Sequence, residues 1–520
     1  MINFEDFIQS NKIEGFSSKK IFNGESFDDI FLIDNIPLFW FYKRYMLNHV
    51  LPKPINTYQD LLNKRKISFV KKAKTNLLSS CMAKYLFYRE KKKIDKYTKK
   101  SAAKNGADVN TPKALLLTYA SHILEGNKFY RIQSIIDVLQ KDAIIEPFPL
   151  VVNQISSNVT IPSDLTNIYQ YCHLDIIEES KARAKGIADK WKNLNLSGKP
   201  PIYFEGVDLS SYLYPAISFF MSKEFLFTIV VYYEIFKRII KDKNIKVVFI
   251  TGQNGIFERC LAAAAWHEKM PCMLVPHGFA IGNTPSQDIL ENIHVPVFNS
   301  TTAAQFIEAG VSKDQIKVTG PSCYDDIVKY KVGNSNDKNI LLTTQPLIED
   351  NFMTEDGYFN MVEYILKELL VIPDIRIIIK LHPREKDVKK YEEIAEKLGR
   401  NRITIKQKGK LNLLYELMIK SKLVINFYST ACVLEASILD IPSITYPYDG
   451  KRNFKYGEFD PSIYVKDGNS LREAVNKILE NPEILKEKRS QMVKEYCTIV
   501  DGKSSQRIVN WAYDLTNMEK

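Results

Sequence analysis

Two short stretches carry residue types whose spacing could grip a phosphate and a sugar hydroxyl. In the first, Ile375-Arg376-Ile377-Ile378-Ile379-Lys380-Leu381 runs into His382-Pro383-Arg384-Glu385; in the second, Leu423-Val424-Ile425-Asn426 runs into Phe427-Tyr428-Ser429-Thr430 and on through Ala431 to Leu439. An imidazole donates to a phosphate oxygen, and a guanidinium adds a charge-assisted bond. Ser429 or Thr430 suits the N-cap of the following helix, whose unpaired N–H groups and dipole favour an anion. Glu435 comes five or six residues later, so at ~1.5 Å rise its Cα lies roughly 8 Å from an anion at the helix start, with its side chain leaning back toward it. That is the span from a sugar-linked phosphate to a ribose hydroxyl. Taken singly, His-Pro is an ordinary turn, Ser-Thr an ordinary cap and Glu435 an ordinary helix residue. Their occurrence in one half-domain, residues 375–446, argues for a nucleotide cradle.

The elements that must hold these groups follow from the flanking pattern. An unbroken β-branched run describes a parallel strand covered on both faces, and a polar turn followed by helix formers is its handover to a crossover helix. Both turns therefore lie at the carboxyl edge of a sheet, where open α/β sheets bind ligands at the point of strand reversal.

Composition narrows the class. The chain has 520 residues, 45% hydrophobic and 12% aromatic, with a formal charge of +11. That supports two to four globular domains with sizeable cores. With 26% charged residues of both signs, a local basic patch fits better than a nucleic-acid binder. Seven scattered cysteines without paired spacing imply reduced thiols in a cytoplasmic setting and no zinc site. The start, Met1 to Asp6, lacks the regions of a signal peptide, and the longest apolar run, Phe225 to Phe236, suits a core helix better than a membrane span.

Taken in order, Ile36 to Leu47 is aromatic-rich and reads as a helix in an N-terminal extension, with an interfacial anchor as the functional alternative. From Lys84 to Lys104 nine Lys or Arg face only Glu90 and Asp95. This is a solvated helix and linker, or a segment drawn to anionic lipid or an acidic polymer. Ala114 to Thr118 opens the first doubly wound unit, followed by a polar loop, Tyr119 to Lys128, and a helix over about 129–140. The loop has no GxGxxG, which argues against a dinucleotide oxidoreductase. Strands are expected at Lys246–Thr251, Cys272–Val275, Pro296–Ser300 and Ile316–Gly320, with an alanine-rich helix at Ile256–Glu268 and another at 301–309. After a polar hinge at Gly333–Lys338, Asn339–Thr344 begins a second set. The resulting division is 1–112 helical extension and basic linker, 113–325 acceptor lobe, 326–500 nucleotide-donor lobe, and 501–520 a helix packing back across the hinge.

Four features resemble the GT-B glycosyltransferases, particularly the surface-polysaccharide group with Kdo and sialic acid transferases and CDP-glycerol glycerophosphotransferases. They are the strand, alanine-rich helix and His277-Gly278 within 252–278; Val318-Thr319-Gly320-Pro321; Lys380-Leu381-His382-Pro383; and Ser429-Thr430 leading to Glu435-Ala436. The resemblance covers about 113–480 and implies an α/β fold of two Rossmann-like lobes facing a cleft. It also implies that His382, Ser429 and Thr430 hold the donor phosphate and that Glu435 holds the ribose; Arg384, close behind His382, is added by its residue type alone as a charge-assisted donor. A histidine like His277 would lie in the cleft as base or phosphate donor. Glu355-Asp356-Gly357 looks like the acidic motif of bacterial sialyltransferases but falls in the wrong lobe.

The expected function is transfer of a sugar from a nucleotide-activated donor to a hydroxyl of a surface glycan or glycolipid. His277 is the leading catalytic base, with Glu125 and Asp208 as weaker candidates. No DxD motif is evident, so neither a metal nor another cofactor is expected. The partners are the donor and the glycan acceptor, with peripheral membrane contact through the basic segment and no nucleic acid. Two alternatives are a UDP-N-acetylglucosamine 2-epimerase-like enzyme, disfavoured by Ser429-Thr430-Ala431-Cys432 where that enzyme has Gly-Gly before its Glu, and a non-catalytic subunit of a polysaccharide assembly complex.

Overall fold

A computed structural model describes residues 25–45, 85, 87–98, 111–155, 159–196, 203–204, 207–208, 210–253, 255–276, 289–330, 338–349, 352–407, 412–427, 430–447 and 459–518. Two six-stranded parallel sheets dominate it. The first lobe runs β1 (Lys113–Tyr119), α1 (Gln133–Asp142), β2 (Glu146–Val152), α2 (Leu174–Leu196), α3 (Lys223–Asp242), β3 (Ile245–Ile250), α4 (Ile256–His267), β4 (Cys272–Leu274), β5 (Ile293–Val297), α5 (Ser300–Glu308) and β6 (Ile316–Val318). Its strand order is β6-β5-β4-β3-β1-β2. The chain thus steps from β1 to one side and returns on the other, and its reversal point lies between β1 and β3.

The second lobe repeats the plan: β7 (Asn339–Thr343), α6 (Glu355–Leu370), β8 (Arg376–Lys380), α7 (Val388–Leu398), β9 (Ile403–Lys406), α8 (Leu413–Ile419), β10 (Leu423–Phe427), α9 (Ala431–Ile438), β11 (Ser443–Tyr446) and β12 (Ile463–Tyr464). Here the order is β9-β8-β7-β10-β11-β12, with reversal between β7 and β10. Helices α10 (Gly468–Glu480), α11 (Lys486–Cys497) and α12 (Ser504–Thr516) complete it. The two-lobed GT-B architecture is present.

Both faces of the central strands are covered, which is why they read as continuous apolar runs. On β1, Leu115 and Leu117 enter one core with α3 and α4, whereas Ala114 and Leu116 enter a second with α1. Ile508, Val509, Trp511, Ala512 and Tyr513 of α12 belong to that second core, so the last helix lies on the first lobe. It is fastened where the chain leaves β6. Asp325, buried, accepts from the Ser504 and Ser505 N–H groups at 2.9 and 2.6 Å. Gly320, at φ +82°, passes so near that a Cβ would stand 2.7 Å from the Ile499 carbonyl oxygen and the Ser504 hydroxyl. Arg507 donates to the Thr319 carbonyl at 2.9 Å.

Several boundaries depart from expectation for visible reasons. The helix expected over 129–140 begins at Gln133, because Tyr130 N–H is drawn back onto the His122 carbonyl (3.0 Å) and Phe129 N–H onto the Gln133 side chain (3.0 Å). The aromatic helix spans Leu38–Tyr45; Ile36–Pro37 instead pairs antiparallel with Leu32–Ile33 across Asp34 and Asn35, both at positive φ, as a tight hairpin turn requires. β2 was concealed by Pro147 and Pro149, and it is an edge strand, the place where proline is tolerated. The run Phe225–Phe236 is a core helix, with every residue but Glu234 buried. Among the described residues no helix is long and apolar enough to cross a membrane, and the six cysteines described are free thiols.

Candidate active site between the lobes

The second lobe presents its reversal point as two polar strand ends beneath a helix start. Thr343, last in β7, donates to Asn426 Oδ1 on β10 at 2.7 Å. Asn426 is fully buried, and its amide NH2 has no partner among the described residues. Thr430, extended at φ −121°, N-caps α9 by accepting from the Cys432 N–H at 3.2 Å. Glu435, on the same helix, is 6% exposed, and burial pushes its carboxyl up to about 7 although the Cys432 thiol pulls it down.

The turn after β8 is built on a buried carboxylate. Glu385 Oε2 accepts from the His382 N–H at 2.6 Å and from the Thr344 hydroxyl, and Oε1 accepts from Tyr358 (3.0 Å) and Tyr391. Burial raises the Glu385 pKa, while these donors oppose the rise. The Arg384 N–H donates to His382 Nδ1 at 3.2 Å. That bond places the imidazole proton on Nε2, the tautomer that donates away from the turn. β7 alone separates this turn's strand from β10, so the two loops stand about 10 Å apart.

The first lobe's reversal point is equally polar. The Tyr119 hydroxyl, at the end of β1, donates to Glu258 Oε2 on α4 at 2.6 Å. Glu258 is 7% exposed; burial raises its pKa, with Tyr119, Arg131 and Arg259 pulling the other way. The turn leading from β3 into α4 uses Gly255 because a Cβ there would fall 2.1 Å from Glu258 Oε2 and 2.8 Å from the Tyr119 hydroxyl.

Tyr130 and Arg131 connect the two halves. Tyr130 is 57% exposed, yet surrounding protein, then Glu435 of the opposite lobe, raises its phenol well above the usual range. A half-open side chain with protein on several sides is a cleft wall. Arg131 is held low chiefly by burial; Tyr130, Glu258 and Tyr119 favour its charge, and Arg384 across the cleft opposes it. Consecutive residues of one lobe thus lie within electrostatic reach of Glu435 and Arg384 of the other.

Of the residues singled out from sequence, His382, Arg384, Thr430 and Glu435 lie at the carboxyl edge of the second sheet. Ser429 and His277 lie outside the described residues. Glu125 is exposed in a turn with Gly126 at φ +70°. Asp208 ends the short strand Val207–Asp208, paired antiparallel with Tyr203–Phe204. Glu355 and Asp356 are exposed in the first turn of α6, capped by Thr354. Sequence reasoning missed Tyr119, Tyr130, Arg131, Glu258 and Glu385. Only Glu385 stood inside a motif, and for Glu258 the signal was a lone acid in an alanine-rich helix start. Among the described residues no three His, Cys, Asp or Glu side chains gather as metal ligands.

Residues 209–448 match the family model for alpha-2,8-polysialyltransferases. No curated protein matches the chain. Among solved structures, it is similar to the UDP-GlcNAc 2-epimerase of Neisseria meningitidis bound to UDP-GlcNAc, at 14% identity, covering 77% of this chain and 99% of that one with a TM-score of 0.47. The Methanocaldococcus jannaschii UDP-GlcNAc 2-epimerase matches at 18% identity over 77% and 99% (TM-score 0.45). The wall teichoic acid polymerase TagF matches at 12% over 90% and 99% (TM-score 0.45). The family match runs from the first lobe into the second and bears out the sequence reading. The chain is a nucleotide-sugar-dependent glycosyltransferase with the GT-B fold.

Proposed function

We propose that this glycosyltransferase moves a sialic acid from its nucleotide-activated form to a hydroxyl of a sialic-acid-ended glycan, the linkage being the alpha-2,8 bond for which the matched family is named. The match over 209–448 supports the choice of sugar. The polar crevice at each lobe's strand-reversal point, one facing the other, is the observation that carries the reaction.

In this reading His382, Arg384, Ser429 and Thr430, with the positive end of α9, hold the donor phosphate, and Glu435 takes the ribose hydroxyls. The bond from the anomeric carbon to the phosphate oxygen breaks, and its electron pair leaves with the nucleotide. The acceptor oxygen bonds to that carbon and gives its proton to a first-lobe base. His277 is the leading base; Glu125 and Asp208 stay behind it, and Glu258 joins them because its buried carboxyl sits at the crevice floor. Arginine, imidazole and helix dipole supply the charge that the departing phosphate needs, so no resident metal is required and activity survives EDTA.

The test is donor consumption with CMP- and UDP-activated sugars against a panel of glycan acceptors. Acceptor-dependent transfer is expected, reduced about 10²- to 10⁴-fold in the variant that lacks the true base, His277→Ala or Glu258→Gln. Epimerisation of the donor sugar without acceptor dependence would overturn the reading.

Membrane contact is the second part of the proposal. In the helix over 87–98, Glu90 is fully buried and accepts from Tyr169 at 2.7 Å, so one of the segment's two acids is removed from its outer face. That face keeps Lys92 and Lys96 with exposed Tyr88 and Tyr97. Cosedimentation is expected with vesicles containing anionic lipid and not with neutral ones; equal binding to both would remove this role.

A further inference from the structure

Arg131 is the charged group that the second-lobe cradle does not explain. It precedes α1, in a segment turned away from the helix by the Tyr130 N–H bond to His122 O. It lies within electrostatic reach of the Tyr119–Glu258 pair at the first lobe's strand-reversal point, and its buried Nε has no hydrogen-bond partner among the described residues. Neutralising Glu258 would account for a cation here but not for an Nε left without an acceptor. A guanidinium carries five N–H donors in a fixed fork, suited to two oxygens of one anion.

Its second neighbour sharpens the point. Arg384, on the His382 turn, lies close enough across the cleft to oppose Arg131's charge. An anion bound between two such guanidinium groups from separate lobes would be attracted by both and would lower the repulsion between them. The anion at that position, in the reading above, is the donor's phosphate.

We propose that Arg131 of the first lobe is a ligand of the donor phosphate, closing on it opposite Arg384 so that the nucleotide is gripped from both lobes at once. The inference rests on the second lobe being the donor lobe. It makes the first lobe more than an acceptor platform: full stabilisation of the leaving phosphate is reached only when the lobes close. Because Arg131 lies within electrostatic reach of Tyr119 and Glu258, acceptor binding in that crevice and phosphate binding share one wall.

The test is titration calorimetry with CMP, CDP, UDP and GDP, then with the nucleoside of the tightest ligand, on wild type, Arg131→Gln, Arg384→Gln, the double variant and Arg131→Lys. Each single Gln variant is expected to weaken the nucleotide about 10- to 100-fold, the range of a charge-assisted bond, and to leave the nucleoside within twofold. The double variant should lose less than the product of the two, since removing one arm leaves the other little to close upon. Arg131→Lys, which keeps the charge without the fork, falls between wild type and Arg131→Gln. Thermal unfolding without ligand checks that the variants are folded. Wild-type nucleotide affinity in Arg131→Gln, or equal loss of nucleotide and nucleoside, would overturn the proposal while the donor-lobe reading stands on Arg384→Gln. Failure of wild type to bind any of the four nucleotides would overturn both.

Discussion

Glu435 and Glu385 are both buried carboxyls at the proposed nucleotide cradle, and they are expected to behave differently under substitution. The Glu435 folded-state pKa, about 7, lies above the ordinary 4.5, so the folded protein holds an extra proton between those values. The associated stability is present below about pH 4.5 and is lost as pH rises through 7, on the order of 3 kcal/mol in all. Glu435→Gln imitates the protonated form. Its melting temperature relative to wild type should therefore be higher at pH 8 than at pH 5, and a pH-independent difference would show that Glu435 is not the titrating group. The same variant should lose discrimination between a ribonucleotide and its 2′,3′-dideoxy analogue. Glu385 touches no ligand in this scheme and acts by fixing the His382 N–H. Glu385→Ala leaves that N–H and three hydroxyls facing a cavity, so stability should fall by about 1–3 kcal/mol and nucleotide affinity with it. Glu385→Gln, which still offers an oxygen to the His382 N–H, should restore most of both; nucleotide affinity in the Ala variant equal to wild type would make Glu385 purely structural.

At the scale of elements, the crevice depends on turns whose shape is set by neighbours. Gly255→Ala would drive a methyl into Glu258 Oε2 and the Tyr119 hydroxyl, parting a 2.6 Å bond. Overpacking of this kind costs about 1–3 kcal/mol, and turnover should fall further than stability alone explains, because the displaced carboxyl lines the proposed acceptor crevice; normal turnover in a folded variant would detach this crevice from the reaction. The second lobe was the more legible of the two. β8 and β10 announce themselves as β-branched runs with polar ends, and both strands and the turn after β8 lie where the sequence put them. The first-lobe half of the site was hidden for a physical reason. Tyr119, Arg131 and Glu258 come from a strand end, a loop and a helix more than a hundred residues apart in their span, and only the order β3-β1-β2 brings them together. No local period encodes that order. The expected helix over 129–140 even concealed Tyr130 and Arg131, since local propensity could not register the backward bond to His122 that turns them into the cleft.

Across the whole molecule, the two lobes are joined by more than the chain between β6 and β7. After α11 packs on α9 of the second lobe through Met492, Tyr496 and Cys497, α12 returns to the first lobe and completes the core under β1 and β3. Asp325 holds the return by capping the start of α12. Four of the side chains so buried, Ile508, Val509, Trp511 and Tyr513, are large. At about 1.5–3 kcal/mol each, their removal approaches the whole stability of an ordinary domain. Deleting residues 504–520 should therefore unfold the first lobe and spare the second, whose hydrophobic cores include no described residue of α12. Hydrogen exchange read strand by strand checks this: amides of β1 and β3 are expected to lose protection while those of β7 and β10 keep it, and retained protection in β1 would show that the first lobe stands without its last helix. Asp325→Ala removes only the cap, and should lower the melting temperature by the equivalent of about 1–2 kcal/mol without unfolding either lobe. Such a variant, still folded but with α12 less firmly held, would also show whether the fastening at Asp325 sets how the lobes meet. If it does, nucleotide affinity falls in Asp325→Ala although Asp325 lies away from the phosphate, and it falls only while Arg131 is present to close on it.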